Sequence, residues 1–352
     1  MSNGASADPW AWLGLLKWSL SYADGTKDNS DITPMSDEDK AFLERVMKEG
    51  IIDENERMKF ILGESSKAME FYKARSLGTK IADPPISDEA LEDLLQELRD
   101  IVEQIDYARA FCSLKGLPFL IGCVTEGKAV PETIRVVCMG IISTLCQNNP
   151  PVQKELLELG AIKTLSEIFF LDDTSQSLKA RTMQAISSIV RNHELAETVF
   201  CNLEQSSELI MNGLDAKASL QLKTKTLFFF RALVTSDSAT STCAQVFGNA
   251  IAYIADNYLA DNSNSPEIRE LSIALLVQLL EMQRGINTIL ERKDSLAALG
   301  VQRISHLRSL VGEDREFAQV ELEYWETFII LLARAKPECE IEDKQETLLL
   351  TN

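Results

Sequence analysis

The stretch LKARTMQAISSIVRNH, residues 178–193, decides the fold because its pattern of apolar and charged positions recurs at regular intervals along the chain. Its apolar residues recur every three or four positions, which predicts a helix with one buried face. An apolar residue followed by a cation recurs along the chain at steps of 44, 44 and 46 residues: Ile134-Arg135, Leu178-Lys179, Leu222-Lys223 and Ile268-Arg269. A second row keeps the same steps: Leu145, Ile189, Leu233 and Leu279. A helical repeat in the low forties is typical of armadillo and HEAT solenoids.

The repeats predict an all-α, right-handed armadillo-repeat solenoid with N-terminal capping helices. Nothing in the sequence alternates with the period of two that a half-buried strand requires, so no sheet is expected. We divide the chain into a mobile N-terminal segment with a Trp-rich motif (1–33), N-terminal capping helices (34–85), an armadillo-repeat domain (86–335) and a polar C-terminal tail (336–352).

Local signals predict several helix boundaries. Ser36 and Ser87 precede apolar periodic stretches and are expected to cap helices. A helix is expected over 53–76, and a last helix over 315–335. The apolar face expected for this last helix consists of Phe317, Val320, Tyr324, Phe328 and Leu331.

Composition narrows the possible functions. The chain has 352 residues, a net charge of −19 and a pI of about 4.6. An acidic protein repels phosphate backbones, so nucleic acid is not an expected partner. Seven scattered cysteines without a C-x-x-C pair indicate reduced, mostly buried thiols. The apolar stretch 9–20 has no preceding basic region and is too short to span a bilayer. We therefore expect a cytoplasmic protein that does not enter the membrane, with the nucleus as the alternative compartment.

The sequence does not predict an enzyme. Its two histidines, His193 and His306, lie far apart, and no hydrolase, zinc-protease or phosphate-loop motif is present. No cluster with metal-ligand spacing was found, so neither metal nor cofactor is expected. His193 is interpreted as a surface or capping residue.

Polar residues at the ends of the long repeat helices are the candidate binding residues. In an armadillo unit this helix lines the concave surface, where the 44-residue step stacks Gln147 on Arg191 and Asn148 on Asn192. Amide and guanidinium groups there can bond a partner's backbone or carboxylates. A row of cations begins the same helices and suits an acidic partner patch: Arg135, Lys179, Lys223 and Arg269. The alternative is structural, because such an Asn often caps its own helix and such a cation is often merely solvated.

Several segments resemble the armadillo-type nucleotide exchange factors of 70-kDa heat-shock chaperones. The similarity is strongest in IISTLCQNNPPVQKELLELGAI (141–162) and ARTMQAISSIVRNH (180–193). Further segments are similar to the family's N-terminal motif, its early helices and its first armadillo region: 15–25, 34–49, 52–62 and 91–122. The resemblance weakens after residue 235, because Thr235-Ser236 stands where Arg-Asn stands one repeat earlier.

The resemblance implies a monomeric co-chaperone that binds the ATPase domain of a 70-kDa heat-shock chaperone and accelerates ADP release without a catalytic group. It places the main contacts at Gln147, Asn148, Arg191 and Asn192, followed by Lys179 and Arg181; the cation row adds Arg135 and Lys223. Arg191 is expected to be exposed, so Arg191→Glu should change stability by only about 0.5 kcal/mol. The competing hypothesis is an armadillo scaffold or adaptor with no exchange activity.

The N-terminal segment needs a separate interpretation because its apolar residues would be a liability in water. The family resemblance implies that Trp12, Leu15, Leu16 and Trp18 mimic an unfolded client in the chaperone's peptide groove and promote client release. The alternative is that the segment docks on the solenoid as a cap. A membrane-surface helix is disfavoured, because only Lys17 supplies a cation there.

Overall fold

The computed structural model describes residues 37–38, 40–41, 53–78, 83–127, 129–237, 246–259 and 265–337. The chain divides into two compact units, Met1–Phe60 and Ile61–Asn352. Within the described ranges there is no strand, as the sequence predicted. The helices are α1 (Glu54–Ser76), α2 (Asp88–Ile101), α3 (Ile105–Ser113), α4 (Gly116–Thr125), α5 (Glu132–Leu145), α6 (Pro150–Glu158), α7 (Ala161–Phe170), α8 (Gln176–Val190), α9 (Glu194–Cys201), α10 (Ser206–Leu214), α11 (Leu220–Thr235), α12 (Gly248–Asn257), α13 (Pro266–Glu281), α14 (Ile286–Leu290), α15 (Lys293–Ser309), α16 (Glu313–Phe317) and α17 (Gln319–Arg334).

A serine cap starts three of the long helices and explains the repeated register. Ser175 Oγ accepts a hydrogen bond from the backbone N–H of Leu178 at 3.1 Å, which satisfies one of the free amides at the start of α8. The same bond recurs in the next two long helices, from Leu222 N–H to Ser219 Oγ at 3.2 Å and from Ile268 N–H to Ser265 Oγ at 3.3 Å. Each apolar register residue is also buried. The cap and the buried side chain together define where each helix begins.

The long helices pack side by side in one layer. Helix α2 packs on α5, α5 on α8, α8 on α11, α11 on α13, and α13 on α17. The second repeated row lies inside this layer, with Leu145, Ile189, Leu233 and Leu279 all fully buried. Truncating such a residue to alanine typically costs about 2–5 kcal/mol. The row therefore joins neighbouring repeats into one continuous core.

The end of the solenoid differs from the expected single helix. The structure has two helices there, α16 and α17, and Phe317 at the end of α16 is 81% exposed. The buried face of α17 is made by Glu321, Trp325, Phe328 and Leu332. Glu321 is buried because its carboxylate accepts hydrogen bonds from the Arg303 guanidinium at 2.8 and 3.1 Å. Of the predicted apolar face, Phe328 is buried, Tyr324 and Leu331 are half-buried, and Phe317 and Val320 are exposed. Glu321 was not predicted because hydrophobicity alone does not place a paired carboxylate in a core.

Other boundaries agree with the sequence. The helix expected over 53–76 is α1, and Ser87 Oγ accepts a hydrogen bond from Ala90 N–H at 3.2 Å at the start of α2. The cap predicted at Ser36, the Trp-rich segment and the C-terminal tail beyond residue 337 lie outside the described residues. In the part of the chain that is described, no single helix is long and apolar enough to cross a membrane. Helices α3 and α4 meet that criterion only as a pair bent by 79°.

Candidate partner-binding site

The turns that follow α5 and α8 enclose a polar cavity of about 480 Å³. Its walls are the end of α5, the start of α6 and the end of α8. The residues that line it are Cys146, Gln147, Asn148, Pro150, Gln153, Ser188, Arg191 and Asn192. The structure therefore brings the four principal sequence candidates together in one place. We call this space the amide cavity.

The two asparagines have a backbone role in these turns. Asn148 has a φ of 51° and Asn192 a φ of 59°, so both are in the left-handed conformation. Asparagine tolerates this conformation better than most residues, and it commonly ends helices. The alternative that each asparagine serves to end its own helix therefore holds for the backbone of both residues. Both side chains are nevertheless exposed at the cavity, and their role in binding stays a prediction.

Gln153 forms the inner wall of the amide cavity and holds the end of α8. Its side-chain Nε2 donates to the carbonyl oxygens of Ser188 at 2.9 Å, Ile189 at 3.2 Å and Arg191 at 2.9 Å. These are carbonyls that the end of a helix leaves without an intrahelical partner. Sequence reasoning missed Gln153.

The 44-residue step relates Gln153 to Glu197, which is buried in α9. The Glu197 carboxylate accepts hydrogen bonds from Asn192 N–H at 3.2 Å and from the Ser236 hydroxyl at 2.8 Å. At this register position a buried polar side chain thus makes hydrogen bonds that stabilise the turn after a long helix. The sequence signal that could have found Gln153 and Glu197 was a polar residue repeated at the common step.

Arg191 is half-buried, which corrects the expectation that it is exposed. Its guanidinium carbon lies 4.6 Å from the centre of the Phe228 ring on α11, within the range of a cation–π interaction. Burial lowers the pKa of Arg191, but a guanidinium stays protonated at any physiological pH. Its Nε has no hydrogen-bond partner among the described residues. The group is held from one side by an aromatic ring, and because its Nε is buried only the two terminal nitrogens could donate to a partner.

The predicted cations at the starts of the helices do not reach the amide cavity. Arg135 is only 7% exposed, because its guanidinium donates to the carbonyls of Val124 at 3.3 Å and Gly127 at 3.4 Å, where α4 ends. Arg135 therefore has a structural role, whereas it was expected to be accessible to the chaperone. Arg269 is also buried, 3.5 Å from Glu321.

The remaining predicted cations are half-buried. The Lys179 ammonium lies 5.4 Å from the centre of the Phe169 ring, and Lys223 donates to the Ala216 carbonyl at 2.9 Å. Arg181 donates to the Gln184 side chain at 3.1 Å. Any contact of these cations with a partner would lie along α8 and α11, beside the cavity.

The described residues suggest no reactive centre. No group of three potential ligands among them could hold a metal ion. His193 Nδ1 accepts a hydrogen bond from Ala196 N–H at 3.3 Å and caps α9, as predicted. Cys123, Cys138 and Cys146 are buried free thiols. Burial raises the pKa of Cys146, which makes this thiol less reactive.

The stacked long helices and their repeated turns define an armadillo-type solenoid. A designed armadillo repeat protein superposes with a TM-score of 0.51 at 16% identity, covering 68% of this chain and 94% of the designed chain. An engineered protein superposes with a TM-score of 0.52 at 13% identity, covering 69% and 93%. These likenesses concern the fold alone.

Sequence comparison shows which proteins the chain is similar to. Residues 13–111 match the family model "Nucleotide exchange factor Fes1". Hsp70-binding protein 1 of Mus musculus is 26% identical over 331 residues, which is 93% of this chain and 87% of the mouse protein. The Hsp70 nucleotide exchange factor fes1 of Schizosaccharomyces pombe is 26% identical over 165 residues, 47% of this chain and 56% of that protein. These matches confirm the resemblance to the Hsp70 nucleotide exchange factor family.

Proposed function

We propose that this protein is a co-chaperone that binds an Hsp70 chaperone and accelerates the release of ADP from it. The observation that carries the proposal is the amide cavity, in which Gln147, Asn148, Arg191 and Asn192 meet on two adjoining repeats. The names of the related proteins support the same role. The partner surface is a lobe of the chaperone's ATPase domain, by the resemblance stated above.

The proposed mechanism needs no catalytic group. Amide and guanidinium donors in the amide cavity bond backbone and carboxylate groups of the chaperone. The stacked helices form a rigid surface, so the complex favours the chaperone conformation that fits that surface. If that conformation holds ADP weakly, ADP must in turn weaken the complex by the same factor. Exchange then follows from binding energy alone.

The proposal also covers the N-terminal segment, the cellular compartment and the oligomeric state of the protein. Trp12, Leu15, Leu16 and Trp18 act as a client mimic in the chaperone's peptide groove and promote client release. The protein works as a monomer in the cytoplasm. Free buried cysteines within the described residues support a reducing compartment.

The test is the rate at which a fluorescent ADP leaves a full-length cytosolic Hsp70 in the presence of excess protein. Wild-type protein should accelerate release, and Gln147→Ala should reduce the acceleration at a fixed subsaturating concentration. Gln147 is preferred to Asn148 because its replacement does not disturb a left-handed residue. Gln302→Ala on α15 is the matched control, since Gln302 is exposed and does not line the cavity. An unchanged ADP release rate with wild-type protein would favour the scaffold hypothesis instead.

A further inference from the structure

Helices α8 and α11 form a cationic strip in an acidic protein. Neither helix contains an Asp or a Glu, and together they carry five cations: Lys179, Arg181, Lys223, Lys225 and Arg231. The chain has 54 acidic residues in 352. If acidic residues were spread evenly along the chain, the 31 residues of these two helices would include about five of them. The proportion of charged residues in the whole chain is typical of soluble proteins. The two helices pack directly on each other, so the cations of one helix lie beside the equivalent cations of the next.

An exposed aromatic residue lies in the middle of this strip. Phe228 is 48% exposed, whereas Phe229 and Phe230 beside it are fully buried. The 44-residue step relates Phe228 to Gln184 on α8 and to Gly140 on α5. A single exposed apolar residue needs no explanation by itself. Here, however, the residue occupies a position that the previous repeat fills with a polar side chain.

One arginine covers the ring, and a second lies one helical turn further along α11. The Arg191 guanidinium lies over it at 4.6 Å and also lines the amide cavity. On the same helix as the ring, Arg231 Nε donates to the Gln278 side chain at 2.7 Å, which orients this second guanidinium. The exposed ring is therefore continuous with the amide cavity through Arg191. We call the accessible surface formed by Arg181, Gln184, Arg191, Lys225, Phe228 and Arg231 the Phe228 face.

We infer that the Phe228 face extends the chaperone-binding site onto the third repeat and receives an acidic surface of the chaperone that presents an apolar side chain to Phe228. The inference rests on the proposed function. Aromatic residues and arginines dominate the binding energy of protein interfaces, and complementary charge directs the encounter of the partners. The sequence alone placed Lys223 of this repeat among the predicted contacts but gave no prediction for Phe228, and Thr235 and Ser236 stand in place of the Arg-Asn pair of the previous repeat.

The experiment compares full-length wild-type protein with Phe228→Ala in binding to full-length Hsp70 without nucleotide and in ADP release. Phe228→Ala should weaken binding about 30-fold, as a hot-spot residue does. Leu195→Ala on α9 is the matched control, since Leu195 is 56% exposed and lies outside both the amide cavity and the Phe228 face; it should change Kd by less than about twofold. Arg231→Glu should reduce the association rate and its dependence on salt.

The outcomes separate this inference from the proposed function. If wild-type protein neither binds nor accelerates ADP release, the proposed function is wrong. If wild-type protein does both and Phe228→Ala is indistinguishable from it, the function stands and the inference is overturned. Phe228→Leu keeps an apolar side chain but removes the ring under Arg191; loss of binding in this variant would mean that Phe228 only supports Arg191. Should Phe228→Ala lose helicity, Phe228→Gln replaces it, because α8 folds with Gln at the equivalent position.

Discussion

Replacing Arg191 by glutamate should weaken chaperone binding far more than it destabilises the protein. Arg191 is the one principal candidate that carries charge, and it lines both the amide cavity and the Phe228 face. It is half-buried, so its folded-state contacts must be counted before a loss of binding is assigned to the interface.

The structure sets the size of each effect. The described contact of the guanidinium is the cation–π interaction with Phe228, and losing it costs about 1 kcal/mol. This exceeds the change of about 0.5 kcal/mol typical of a fully exposed substitution. In the complex, removing one partner of a buried charge pair costs about 2–5 kcal/mol. A loss of 2 kcal/mol already raises Kd by about 30-fold.

Two measurements separate the contributions. Urea unfolding gives the change in the free energy of unfolding, and titration of the ADP release rate gives the apparent Kd for Hsp70. Arg109→Glu on α3 is the control for net charge, because Arg109 is exposed and lines neither surface. It should leave both quantities near the wild-type values. The reasoning fails if Arg191→Glu is destabilised by more than about 3 kcal/mol while its folded fraction binds normally, since Arg191 would then be a structural residue.

Four other residues give further predictions. Gln153→Leu should lower the free energy of unfolding by about 2 kcal/mol, because it leaves three carbonyls at the end of α8 without a donor; an unchanged urea midpoint would contradict this. Asn148→Gly should keep stability within about 1 kcal/mol, because glycine adopts a positive φ readily, while Asn148→Ala should unfold at a lower temperature than the glycine variant. Alkylation of Cys146 followed by mass spectrometry should proceed only at the rate of unfolding, since the thiol is buried; rapid labelling of native protein would refute its burial. Burial, followed by the hydrogen bond to Asp88 at 2.5 Å, raises the pKa of Tyr72. The unfolded phenol ionises near pH 10 while the folded one stays protonated, so the free energy of unfolding should fall as pH rises above about 10. Tyr72→Phe should make this fall shallower, and an equal slope in both proteins would exclude the Tyr72 contribution.

The fold could be predicted because two independent features repeat at the same step. Leu178 belongs to the first repeated row and Ile189 to the second, and both are buried in α8 as their equivalents are in the neighbouring long helices. Either feature alone is common in helical proteins. Their shared period of 44 to 46 residues requires successive helices to lie in equivalent surroundings, and this is the arrangement that the structure shows.

Errors arose where a residue type does not determine the direction of its side chain. Arg135 follows a core residue directly, and it was expected to reach outward with the other cations of its row. Its long side chain instead turns back to the carbonyls at the end of α4. Phe228 lies among buried phenylalanines and gave no sign of exposure by composition. Its exposure becomes clear only when α11 is packed on α8. The buried residues of α11 then define one face of the helix, and Phe228 lies outside that face.

The amide cavity shows which candidate residues the fold itself requires. Asn148 and Asn192 serve a left-handed turn, so their presence has a sufficient structural cause. Gln147 and Arg191 have no such requirement, because neither has a positive φ. The backbone conformation of the turns therefore does not require Gln147 or Arg191 at the cavity. We therefore assign more of the binding function to Gln147 and Arg191 than to the asparagines beside them.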